Sequence, residues 1–146
     1  MGRLLSFWSL HRREKQLFCE AALLLLLSYL GVKTIPFRYI DDFLRAGWNN
    51  NAWAARDSVD DVKLTRRSLA RVSIMLPLKD LCLSQSIAAF IMLRRRGIPV
   101  TIVAGVRSSE DSSLHAHAWI ETGLGEPNAS SDNSVFTPVL RIGKGL

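Results

Sequence analysis

The chain has 146 residues, 48% hydrophobic and 22% charged, enough for one domain with a real core and too few for two comfortable ones. Its net charge of +6 permits an acidic partner, but the basic residues are scattered, and the single run, Arg94 to Arg96, falls at a helix end, which argues against a nucleic-acid surface. The two cysteines, Cys19 and Cys82, lie in separate apolar helical contexts without CxxC spacing, which argues against a disulfide framework and fits a reducing cytoplasm.

A first helix is expected from about Ser9 to Gly31, with a polar opening turn (His11 to Lys15) and then an apolar run. The most apolar part, Ala21 to Val32, spans about twelve residues, whereas a bilayer span needs about twenty. Glu14 and Glu20 precede it and Lys33-Thr-Ile-Pro follows, which is not the layout of an export signal. The expectation is a scaffold helix buried on most sides, with Cys19 in the core and no membrane contact. Pro36 to Gly47 predicts a second helix with Phe37, Ile40, Phe43 and Leu44 on one face. Trp48 to Arg56, with three consecutive asparagines, reads as a loop that Trp48 and Trp53 anchor. A third helix follows from Asp57 until Pro77, presenting Val59, Val62, Leu69, Val72 and Met75.

Pro77 to Gly97 predicts a capped helix. Asp80 is the candidate N-cap, Leu83, Ile87, Phe90 and Ile91 the apolar stripe, Arg94 to Arg96 the last turn, and Gly97 with Pro99 the stop. Cys82 then sits in the first turn, where the helix dipole favours negative charge. After Pro99 the texture changes to β-branched VTIVAGV (100–106), a buried strand, followed by a polar turn from Ser108 to Ser113. LHAHAWIE (114–121) alternates, sending His115, His117, Trp119 and Glu121 to one side of a second strand. A Gly-rich loop (122–133) and a last strand, SVFTPVLRI (134–142), close the chain. Helices first and a small antiparallel sheet second is an α+β arrangement, one domain over 1–146 with a helical scaffold (1–76) and a catalytic helix and sheet (77–146).

A nucleophilic cysteine needs a base that also protonates the leaving group, and a third residue that holds the base in the right tautomer. Cys82 at a helix start and His117 on a following strand have the chemistry for the first two roles. For the third, Asp132 is the only aspartate after His117, with Asn128 and Glu126 as rivals. His115 and His117 with Cys82 are the competing zinc reading, but a fourth ligand is not evident, and neither metal nor cofactor is expected.

CLSQSIAAFIMLRRRGIPVTIVAGVR (82–107), HAHAWIE (115–121) and GEPN (125–128), together with the early leucine run and Ile35-Pro-Phe37, resemble the transglutaminase-like leader peptidases of lasso peptide biosynthesis in their stand-alone form. The resemblance implies a transglutaminase-like, papain-like cysteine peptidase core with Cys82 as nucleophile and His117 as base. The family pattern places an Asn-Asp pair soon after a Gly-x-Pro-like turn. Here Gly125-Glu-Pro-Asn128 leads into Ala129 and Asp132 arrives later, so either the loop carries an insertion and Asp132 takes the third role, or the orienting residue is Asn128 or absent. The implied activity is removal of the leader from a ribosomally made precursor peptide, after which a separate cyclase closes the ring. No leader-binding domain is evident in the sequence, so a separate leader-recognition protein is implied. A non-catalytic adaptor that binds peptide or cyclase on the same fold is the competing reading.

Overall fold

The computed structural model describes residues 11–46, 58–123 and 133–143. Within them four helices, α1 (Arg12–Thr34), α2 (Phe37–Arg45), α3 (Ser58–Met75) and α4 (Cys82–Arg94), precede three strands, β1 (Thr101–Ser108), β2 (Leu114–Glu121) and β3 (Thr137–Ile142). This is the α+β order that the sequence predicts. The loop with Trp48 and Trp53 lies outside the described residues.

In α1, Leu17, Ala21, Leu25 and Ser28 are buried, a single line at helical spacing that packs against α3 and α4. Burial on most sides is therefore corrected. Leu23, Leu27 and Leu30 are 56–59% exposed, and Cys19, expected in the core, is exposed as well. Consecutive leucines step about 100° around a helix, so a run of them faces every direction while neighbours cover only one. Among the described residues three ion pairs hold α1 to the body: Arg13 Nη2 to Asp61 Oδ1 at 2.7 Å, and Glu20 with both Arg95 and Arg96. α1 has 23 residues and contains an 18-residue stretch of mean hydropathy 1.6, so it is long and apolar enough to cross a membrane by length and composition, while one line of it is committed to the core.

On α2 only Leu44 is buried, and Phe37 and Phe43 of the predicted face are largely exposed. In α3, Val62, Leu69 and Val72 face inward, while Val59 and Met75 at its two ends do not. The hub is α4. Ser84, Ser86 to Phe90, Met92 and Leu93 are buried, so it is enclosed nearly all round rather than along the one stripe expected. Ala88 and Ala89 carry no bulk and let neighbouring elements approach.

Asp80 is not the N-cap. Its φ of +56° is left-handed, incompatible with the extended backbone of a capping residue, and Leu81 precedes the helix without a side-chain cap. The other end follows expectation closely. Gly97 takes φ +75°, Gly97 N–H donates to Arg94 O at 3.0 Å, and Ile98 N–H donates to Leu93 O at 3.1 Å. These are the two bonds of a Schellman stop, with buried Ile98 and Leu93 as its apolar contact.

The sheet order is β2-β1-β3, antiparallel throughout, with an irregularity at Ala104/Gly105 on the β3 side. Pro138, which has no N–H to donate, sits on the edge strand β3. Ile102, Ile120 and Ile142 join the core around α4. Strand alternation puts Val103, Gly105 and Arg107 on the opposite face, with Trp119, His117 and His115 as their partners in register. The β1–β2 turn is closed by Ser109 N–H to Ser113 O at 2.9 Å. There the Ser113 hydroxyl, and then its N–H, donate to the Asp111 carboxylate and hold that group below its ordinary range. The last strand is shorter than predicted because 133–135 form a 3-10 turn instead.

Candidate active site

Cys82 is the first residue of α4 and is half-buried. The first helical hydrogen bond runs from Gln85 N–H to Leu81 O at 2.7 Å, so the N–H groups of Cys82, Leu83 and Ser84 precede the helical ladder. Two contacts fix this turn. Ser86 Oγ donates to Cys82 O at 2.8 Å, and Gln85 Nε2 donates to Ser73 Oγ of α3 at 2.5 Å. The short connection 95–100 leads from α4 into β1, and α4 packs chiefly against β2.

His117 is half-buried on β2 and forms a three-ring cluster with Trp119 and Phe136, whose own centroids are 6.5 Å apart. Trp119 stacks with it at 6.0 Å and 20°, and Phe136 lies tilted at 5.2 Å. Gly105 is its partner in register, and a Cβ added there would lie 2.8 Å from Trp119 Cη2 and 3.0 Å from Thr137 O. The glycine therefore makes the room that the indole fills. Trp119 Nε1 donates to Glu121 Oε1 at 3.3 Å, and Arg141 Nη1 of β3 donates to Glu121 Oε2. Arg107 covers the outer side of Phe136, with its guanidinium carbon 5.3 Å from the ring centre. The two rings pack against the imidazole and against each other.

α4 packs against the strand that bears His117, on the side of Ile120, whereas the imidazole belongs to the alternate face of the sheet. Among the described residues no hydrogen bond joins Cys82 to His117 directly. Asp132, Asn128 and Glu126 lie outside the described residues. Phe136, four positions after Asp132, abuts the imidazole. His115 does not join this group: it is exposed at the strand's start, with Nε2 3.2 Å from Ser113 Oγ. Among the described residues no three His, Cys, Asp or Glu side chains gather as metal ligands would.

Sequence reasoning missed Phe136, Gly105, Arg107 and the Glu121–Arg141 pair. Only Glu121 had a signal, its alternation with His117 and Trp119 on one face.

A thiol at a helix start packed against a histidine-bearing strand, on an α+β fold, defines a candidate cysteine-based enzyme. The chain matches the Transglutaminase-like superfamily over residues 26–141 and belongs to it. Its members are commonly cysteine proteases or transferases. Comparison with curated proteins and with solved structures finds no match.

Proposed function

We propose that this protein is a cysteine peptidase that removes the leader from a ribosomally made lasso precursor peptide in the cytoplasm. It acts with a separate leader-recognition protein and hands its product to a lasso cyclase. The supporting observation is Cys82 at the uncapped start of α4, a helix packed on the strand whose His117 clusters with Trp119 and Phe136. Superfamily membership and the motifs from Cys82 to Glu121 support the same chemistry.

In this reading the Cys82 thiolate attacks the carbonyl at the leader–core junction. The first-turn N–H groups stabilise the oxyanion. His117 gives its proton to the leaving amine, then takes one from the water that hydrolyses the thioester. Asp132 orients His117, with Asn128 and Glu126 as the alternatives.

Precursor, recognition protein and this chain are incubated together and the products weighed. Wild type is expected to release the core, while Cys82→Ala and His117→Ala lose about a thousandfold or more in rate. Uncut precursor with wild type overturns the peptidase reading, and retained binding without cutting would establish the adaptor. Asp132→Ala, Asn128→Ala and Glu126→Ala measured side by side assign the third role to whichever loses most.

A further inference from the structure

The outward face of α1 has no role in the chemistry above. Leu23, Leu26, Leu27 and Leu30 lie there at i, i+3, i+4 and i+7, each 40–59% exposed. Ile35, Tyr39 and Phe43, each 47–53% exposed, continue the surface and, with Leu27, line a groove of about 460 Å³ beside α2. At roughly 200 Å² per whole large side chain these seven present on the order of 700 Å² of surface, above the ~300–600 Å² typical of a monomer's largest patch.

The charges around this face are mostly positive. Arg12, Lys33 and Arg38 are exposed, the last two lying over the rings of Tyr29 and Tyr39. Glu20 is turned to Arg95 and Arg96, and Asp41 is bonded to Arg45, which leaves exposed Asp42 as the opposing charge. A protein partner would want about one hydrogen bond per 100–200 Å². Among the described residues the groove offers the side chains of Ser28 and Tyr39 for that purpose. A second copy would bring the same cations together on a chain of charge +6. An anionic lipid surface asks for an apolar face flanked by cations and for little else.

We propose that the outward face of α1, with the groove beside α2, binds the surface of a membrane containing anionic lipid. The helix lies in the interfacial plane rather than crossing, because Leu17, Ala21, Leu25 and Ser28 on its other side are held against the core. This placement is independent of the peptidase reading.

The test is cosedimentation of the full chain with vesicles of phosphatidylcholine alone and of phosphatidylcholine with phosphatidylglycerol. Binding to the anionic vesicles is expected to be about tenfold or more tighter than to the neutral ones. The triple variant Leu23→Gln/Leu26→Gln/Leu30→Gln should lose at least that factor with its circular dichroism unchanged. Lys33→Gln/Arg38→Gln should lose the preference for anionic lipid. Failure to sediment with either vesicle, or a triple variant that binds as wild type does, overturns the proposal. So does a dimer in analytical ultracentrifugation that the same triple variant dissociates, since a second copy would then cover the face.

Discussion

His117 shows how much of a site depends on a residue that contributes no side chain. Its partner in register, Gly105, leaves the space that the Trp119 indole fills, and the indole in turn stacks with the imidazole. Gly105→Ala places a methyl 2.8 Å from that ring and beside a backbone carbonyl, so the indole has to move. The expected cost is about 1–3 kcal/mol, read as a lower midpoint in denaturant. Turnover should fall further than the loss of folded protein explains, and the two measurements made on one sample separate these effects. The face carrying His117, Trp119 and Glu121 was legible because a strand alternates with period two. The second ring, Phe136, was not, because the period of one strand does not say which residue near another strand will reach it. Asp80 has the residue type of a cap, but its φ of +56° is not a capping backbone, and residue type alone does not reveal that.

At the scale of elements, helix stops were easier to read than helix faces. Gly97 and Pro99 announce the end of α4, and the structure closes it with the two Schellman bonds. Gly97→Ala must hold a Cβ at φ +75°, which costs about 1 kcal/mol by thermal unfolding. A loss much below this would mean that the turn rearranges instead. The faces of α1 were less legible. Its leucines are compatible with full burial or with one buried line, and only the positions of α3 and α4 decide between them. α2 repeats the lesson, since four apolar positions at helical spacing yielded one buried residue, Leu44.

For the whole molecule, the order of patterns along the chain was enough to predict helices followed by an antiparallel sheet. It did not reveal that β3 pairs with β1 rather than with β2, because local periodicity carries no information about which edge a later strand joins. Nor did it show what binds the two halves. Glu20 of α1 receives Arg95 and Arg96 from the end of α4, a part-buried junction between the first helix and the hub. Glu20→Gln keeps the shape and removes the charge, so stability should fall by about 1–2 kcal/mol. The loss should shrink at high salt if the exposed Arg95 contact carries it, and persist if the more buried Arg96 contact does. Urea titrations at two ionic strengths distinguish these outcomes.

The ring cluster at His117 also has an order in time. Its first ring, Trp119, and the glycine that accommodates it come from the β1–β2 hairpin, but the second ring and the guanidinium that holds Glu121 come from Phe136 and Arg141. A nascent chain that ends at Glu121 holds α4, the hairpin and one of the two rings. The second ring arrives only with the segment that leads into β3, so among the described residues the histidine's surroundings are the last part of the sheet to be completed during synthesis.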